Sequence, residues 1–126
     1  MAKILIVDDD PDIVEACSLF LRRAGHTVEG AGGRVEGMRA MAEFRPDLLI
    51  LDVMMDQPDD GFVMAQDLRR QGLRVPILML TSVASASGLA FGRDAEMVPV
   101  DDFQAKPVEP ADLVRKVASL LKSREA

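Results

Sequence analysis

Polar residues with complementary charges directly follow four short apolar runs of this sequence. They are Asp8, Asp9, Asp10, Asp52, Thr81, Ser82 and Lys106. Carboxylates crowded together repel one another unless a cation joins them, and hard oxygen ligands select Mg²⁺ or a similar metal. A divalent cation would shield an incoming phosphoryl group from Asp52, while Thr81 offers a hydroxyl donor and Lys106 a positive charge. A carboxylate such as Asp52 is also an established nucleophile for covalent phosphate intermediates.

The apolar runs and the segments between them alternate as strands and helices. Strands are predicted at Ile4–Val7, Thr27–Ala31, Asp47–Val53, Val75–Leu80 and Phe103–Ala105. Helices are predicted at Pro11–Ala24, Arg34–Phe44, Gly61–Arg70 and Pro110–Lys122. Asp10 should cap the first helix and Gly25 should end it. Repeated β-α pairs imply a parallel sheet covered by helices on both faces, so we expect the polar residues to meet at its carboxyl edge.

The segment at 82–99, between the fourth and fifth strands, has no clear helical pattern. Gly88 and Gly92 would each weaken a helix by up to about 1 kcal/mol relative to alanine. We therefore predict low local stability for this segment. Because Thr81 lies at its root, this segment, Phe103 and the last helix form the expected partner-binding surface.

The composition limits the classes of function. The 126 residues suit one domain spanning residues 1–126. The net charge of −6 argues against direct binding of nucleic acid and against docking on anionic membranes. The apolar runs are too short for a signal peptide or a membrane span, so we expect a cytoplasmic location. Cys17 falls on the apolar face of the first helix and is expected to be a core residue.

Four motifs, ILIVDDD, LLILDVMM, PILMLTS and DDFQAKP, resemble in order and at nearly the same spacing those of response-regulator receiver domains. The resemblance covers the whole chain and implies an α/β, flavodoxin-like, doubly wound (βα)5 fold with a five-stranded parallel sheet of order 2-1-3-4-5. It implies a phosphorylation-dependent switch of a two-component phosphorelay, which catalyses only its own phosphorylation and dephosphorylation. The implied partners are a sensor histidine kinase or phosphotransfer protein, which supplies the phosphoryl group from a phosphohistidine, and a downstream protein target.

The resemblance also implies a Mg²⁺ site at the acidic edge. Asp9 and Asp52 would ligate the ion directly, Asp8 would act through water, and Met54 would give its backbone carbonyl. Asp10 is expected to be a helix cap rather than a ligand.

The same resemblance implies a phosphoryl site around Asp52 as the acceptor. Thr81 would bind a phosphoryl oxygen, and Lys106 would pair with the phosphoryl group. Phe103 matches the position of an aromatic switch, although an aromatic residue there is also a natural core residue.

Two segments depart from the family pattern. The loop after Asp52 reads DVMMDQPDDGF, one residue longer than usual before the DG pair, which makes Asp56 an extra acid near the metal edge. The small-residue turn common before the last strand is replaced by EMVPVDD.

Other functions fit the sequence less well. A Mg²⁺-dependent phosphatase or hydrolase could use Asp52 as its nucleophile, but the position of its acid catalyst, two residues later, holds Met54. The glycines of GAGGRVEG lack the spacing of a phosphate loop and are expected to turn the chain into the second helix. Without an effector segment, output is expected from binding another protein, unless the chain is part of a longer regulator.

Overall fold

A parallel sheet with helices on both faces forms the protein, in a computed structural model that describes residues 2–55, 60–82 and 100–125. The strands are β1 (Lys3–Val7), β2 (Thr27–Ala31), β3 (Leu48–Asp52), β4 (Ile77–Ser82) and β5 (Asp102–Lys106). The helices are α1 (Pro11–Arg23), α2 (Arg34–Phe44), α3 (Asp60–Arg70) and α4 (Pro110–Glu125). All neighbouring strands are parallel and their order is β2-β1-β3-β4-β5, which confirms the predicted fold.

Apolar side chains fill both faces of the sheet because its central strands are buried on both sides. Every residue of β3 is buried, as expected for a continuous apolar run between two layers of helices. One core layer lies under α1 and α4 and includes Cys17, Leu21, Leu113 and Val117. The other lies under α2 and α3. The buried Cys17 confirms the expected core residue, and burial, with a smaller contribution from Asp8, raises the pKa of its thiol to about 11.

Helix α1 begins where its sequence predicts and positions the acidic segment before it. Asp10 is the N-cap, and its Oδ1 accepts a hydrogen bond of 2.9 Å from the Asp12 amide. Pro11 occupies the first helical position, where no amide donor is needed. Beyond the C-terminal end, Gly25 has a φ of 99°, a left-handed conformation that favours glycine.

Strand β4 lies two residues later than the sequence predicts. Pro76 has no N–H to give to the sheet, although its carbonyl accepts a hydrogen bond of 3.0 Å from the Leu49 amide. The strand therefore begins at Ile77 and ends at Ser82, pairing with β3 over Ile77–Leu80 and with β5 over Leu78–Ser82. The shift brings Thr81 and Ser82 inside the strand instead of after it.

The buried face of α2 differs from the predicted one. The sequence spacing predicts Val35, Met38, Met41 and Ala42 on one inward face, but Val35 is 72% exposed. Gly37 and Met41 are the buried residues of this helix. A side chain at Gly37 would come within 3.0 Å of methyl groups of Val7 and Met64, so the helix packs closely against the sheet through this glycine.

The amino end of β5 is tied to α3 and β4 by Asp101. Its Oδ2 accepts a hydrogen bond from the Ile77 amide and pairs with Arg69, both at 2.8 Å. Arg69 also donates to the carbonyls of Leu73 and Val75. This network holds β5 in register with β4, which determines where Lys106 lies at the opposite end of the strand.

Several predictions fall on residues outside the described ranges. They concern the segment at 83–99, including Gly88 and Gly92, and Asp56 in the loop after β3. Within the described residues, no helix is both long enough and apolar enough to cross a membrane.

Candidate functional site

Three carboxylates meet at the carboxyl edge of the sheet. Asp8 and Asp9 follow β1, Asp52 ends β3, and these two strands are neighbours. One carboxylate oxygen from each residue lies within 4.8 Å of the other two. Asp8 and Asp52 are buried, at 1% and 4% exposure, whereas Asp9 is exposed. The predicted acidic cluster therefore forms, with one side open to solvent.

Lys106 brings a positive charge into this cluster from the end of β5. Its Nζ lies 3.0 Å from Asp8 Oδ2 and 3.2 Å from Asp52 Oδ1, and its side chain is 23% exposed. The register pairs Lys106 with Ser82 and Asp52 with Leu80, so the lysine reaches back across the end of β4. The next peptide bond, to Pro107, is cis.

The electrostatics of the site follow from burial and close charges. Burial, together with the nearby Asp8 carboxylate, raises the pKa of Asp52 to about 6, even though Lys106 opposes the shift. Burial lowers the pKa of Lys106, but the adjacent Asp8 and Asp52 carboxylates outweigh it and the net pKa lies above its ordinary value. Lys106 therefore remains a cation, and Asp52 gains a proton more readily than an exposed aspartate does.

Asp8 has a polar atom that fits a further cation. Its Oδ1 accepts a hydrogen bond of 2.9 Å from the Asp10 amide. Its Oδ2 is buried and accepts no aligned hydrogen bond from the described residues, although the Lys106 charge is close. This buried oxygen therefore lacks an aligned hydrogen-bond donor and faces two other carboxylates. Together the three groups match the all-oxygen ligand set that Mg²⁺ prefers.

The remaining predicted residues lie at different distances from the acidic edge. Thr81 is buried in β4, one residue beyond the partner of Asp52. Met54 follows β3 and is 48% exposed. Phe103 lies further down β5, paired with Met79, and packs against the core under α2 and α3, while its carbonyl accepts a hydrogen bond from Lys116. The structure thus places Thr81 at the site edge and Phe103 in the adjoining core, and their functional roles stay predictions.

The start of α3 packs directly against the backbone of Asp52, a contact that the spacing of residues in the sequence does not predict. The Gly61 amide donates a hydrogen bond of 2.9 Å to the Val53 carbonyl. A Cβ atom at Gly61 would lie 2.1 Å from the Asp52 carbonyl oxygen. The sequence signal was present as the DG pair at the start of the helix, but spacing alone does not show that a glycine touches another backbone.

Comparisons with known proteins identify the family to which this chain is related. Residues 4–118 match the family model of the response regulator receiver domain. The chain is 39% identical over 120 residues to the response regulator MprA of Mycobacterium ulcerans, covering 95% of this chain and 50% of that protein. It is 35% identical over 124 residues to RpaA of Synechocystis sp., a DNA-binding dual master transcriptional regulator, covering 97% of this chain and 50% of RpaA.

A solved structure shows the same relationship. The BeF3-activated N-terminal receiver domain of RstA from Klebsiella pneumoniae has a TM-score of 0.80 and 29% identity. The match covers 94% of this chain and 97% of that one. The chain spans about half the length of the two curated relatives named above. With the family model matching nearly the whole chain, this protein belongs to the response regulator receiver domain family of two-component signalling proteins.

Proposed function

We propose that this chain is a Mg²⁺-dependent switch in which Asp52 accepts a phosphoryl group from a phosphohistidine of a sensor histidine kinase or phosphotransfer protein. The observation that carries the proposal is the group of three carboxylates with oxygens within 4.8 Å, next to the Lys106 ammonium. Family membership supports phosphorylation-dependent signalling in general. The acidic group supports Asp52 as the acceptor and a cation as its partner, because among the described residues Asp52 alone combines burial, a lysine contact and a position at the end of the central strand.

The transfer requires few movements of the protein. An Asp52 carboxylate oxygen attacks phosphorus, the phosphorus–nitrogen bond of the phosphohistidine breaks, and its electron pair stays on the imidazole nitrogen, which then takes up a proton. Lys106, already 3.2 Å from Asp52 Oδ1, follows the negative charge onto the phosphoryl oxygens. Thr81 donates its hydroxyl to a phosphoryl oxygen. The strand ends hold these groups before the donor arrives, so little ordering is needed during transfer.

Asp9 and Asp52 would hold Mg²⁺ directly, with Asp8 acting through water and the Met54 carbonyl as a further ligand. When bound, the ion neutralises charge on the phosphoryl oxygens and on the carboxylates around them. The exposed position of Asp9 gives the ion a route from solvent. The buried Asp8 keeps negative charge at the base of the site.

The signal would leave through a protein-binding face, to a downstream protein target. Thr81 couples the acceptor to the end of β4, and Phe103 contributes an aromatic group on the neighbouring strand β5. We propose that residues 1–126 form one receiver domain and that it works in the cytoplasm. The alternative of a phosphatase or hydrolase has no acid catalyst to support it at Met54.

Intact-mass measurement after incubation with Mg²⁺ and a small acyl phosphate tests the proposal. The wild-type mass should rise by one phosphoryl group, and Asp52→Asn should abolish the rise because an amide is not a competent nucleophile. Asp10→Asn is the matched control, because Asp10 belongs to the same acidic run but caps α1. Phosphate retained by the Asp52 variant and mapped to a serine would contradict the assignment.

A further inference from the structure

The junction between β3 and α3 is packed more tightly than any side chain allows. A Cβ at Gly61 would lie 2.1 Å from the Asp52 carbonyl oxygen, 2.7 Å from Val53 Cα and 2.9 Å from the Asp52 carbonyl carbon. All three neighbours are backbone atoms, so no rotamer change can relieve the contact. The φ angle of Gly61 is not in the positive range, so close approach alone, and not backbone conformation, requires glycine here.

Neither side of this junction can retreat without breaking other contacts. The end of β3 is fixed to β4, since Asp52 pairs with Leu80 and the Val53 amide donates to the Leu80 carbonyl at 3.0 Å. The helix is fixed by its buried residues Met64, Ala65 and Leu68. The first helical residue, Asp60, is also buried and lies 3.8 Å from Arg34 at the start of α2.

The hydrogen bond from Gly61 closes the junction. The first amides of a helix have no partner within the helix, and the Gly61 amide finds one in the Val53 carbonyl at 2.9 Å. This bond joins the start of α3 to the residue that follows Asp52. A side chain at position 61 would push these backbones apart by roughly 1 Å to reach ordinary contact.

We infer that Gly61 is a positioning residue for phosphorylation, which holds the Asp52 backbone so that its carboxylate faces Asp8, Asp9 and Lys106. The inference rests on the proposed function of Asp52 and adds the element that aims it. The Asp52 side chain is attached to the same backbone unit whose carbonyl carbon and oxygen contact Gly61. A displacement of this unit therefore moves the carboxylate relative to Lys106 Nζ, which is now 3.2 Å away.

Gly61→Ala tests the inference, with Gly37→Ala as the matched control. Both glycines are buried and helical, but a Cβ at Gly37 meets side-chain methyl groups of Val7 and Met64 at 3.0 Å rather than backbone atoms. Three quantities are measured for each variant: the free energy of unfolding in urea, the Mg²⁺ dissociation constant by NMR titration, and the initial phosphorylation rate with a small acyl phosphate. Since a misplacement of about 1 Å lowers reactivity by up to roughly a hundredfold, we expect Gly61→Ala to lose at least about tenfold in phosphorylation rate. Its Mg²⁺ affinity should fall as well, while Gly37→Ala keeps both values.

The outcomes separate the positioning role from a general loss of stability. Wild-type phosphorylation and Mg²⁺ affinity in Gly61→Ala would overturn the inference, as would losses in both variants that simply follow their stability. No phosphoryl gain in the wild-type protein would instead overturn the proposed function, and Mg²⁺ affinity would then decide the positioning role. If Gly61→Ala does not fold, hydrogen exchange of the wild-type Gly61 amide decides it. Protection equal to that of β3 supports the closed junction, and exchange as fast as an exposed amide refutes it.

Discussion

Replacing Lys106 by methionine should destabilise the metal-free protein to an extent that depends strongly on pH. Methionine keeps an unbranched side chain but removes the charge that lies 3.0 Å from Asp8 and 3.2 Å from Asp52. The side chains of these aspartates are 0% and 6% exposed, so water cannot replace the ammonium well. Removing one partner of a buried ion pair costs about 3–5 kcal/mol when the remaining charge cannot be neutralised.

Asp52 can take up a proton, so the loss of stability caused by removing the Lys106 charge depends on pH. Its pKa is already raised to about 6 by burial and by Asp8, and loss of the Lys106 charge raises it further. Between pH 6 and the new pKa, the variant holds one more proton in its folded state than the wild type does. Its stability therefore falls relative to wild type as pH rises, by about 1.4 kcal/mol per pH unit. The deficit should therefore grow by up to roughly 2–3 kcal/mol between about pH 6 and about pH 8, in addition to a part that comes from the lost Asp8 pair at both pH values.

Urea unfolding without divalent cations, near pH 5.5 and near pH 8, measures this difference. Lys122→Met is the control, because Lys122 is exposed on α4 and its loss changes the net charge equally. Saturating Mg²⁺ should reduce the deficit of the Lys106 variant by supplying another positive charge. A deficit that is the same at both pH values would refute the argument, because it would show that protonation of Asp52 does not compensate for the lost lysine charge.

Three further predictions concern other parts of the molecule. Asp9→Asn should weaken Mg²⁺ binding in an NMR titration, whereas the control Asp10→Asn should leave the Mg²⁺ affinity unchanged. Without metal, Asp9→Asn should raise the stability of the protein because repulsion between the carboxylates is relieved. Burial, assisted by the positive amino terminus, lowers the pKa of His26, so its contribution to stability is complete above pH 6.5 and lost as pH falls through the lowered pKa. His26→Gln should therefore reduce the acid-side loss of stability measured by urea unfolding between about pH 7.5 and about pH 5. Gly30→Ala should cost about 1–3 kcal/mol, because its Cβ would lie 2.4 Å from Val14 Cγ1. In a double-mutant cycle measured by urea unfolding, Val14→Ala should recover most of that loss, and full additivity would contradict the contact.

Much of the fold could be predicted because its strands are short apolar runs that end in polar residues. The repeated β-α pairs predict a parallel sheet, whereas the strand order, which brings Asp8, Asp9 and Asp52 together, was implied by the resemblance to receiver domains. The buried face of α2 could not be predicted in the same way. Hydrophobic spacing points to Val35, which is exposed, and overlooks Gly37, which is buried because a missing side chain allows close packing.

The contacts of individual polar groups could not be predicted from the sequence either. The Nδ1 atom of His26 accepts a hydrogen bond of 3.2 Å from the Ala2 amide, a contact that no sequence pattern indicates. Lys106 was assigned to a phosphoryl group, and here it pairs with Asp8 and Asp52. Such pairings depend on which strand ends become neighbours and on the space between them, and periodicity describes neither.

Because the site is assembled from four strands, it can form only late in the synthesis of the protein. The acids are carried by β1 and β3, whereas the ammonium comes from β5, an edge strand that pairs only with β4 among the described strands. During synthesis the acidic half leaves the ribosome well before its lysine. A growing chain therefore contains Asp52, the proposed acceptor, before Lys106, the residue that balances its charge, has been made. We expect readiness to receive a phosphoryl group to coincide with completion of the sheet, so that unfinished chains do not divert phosphate from finished ones.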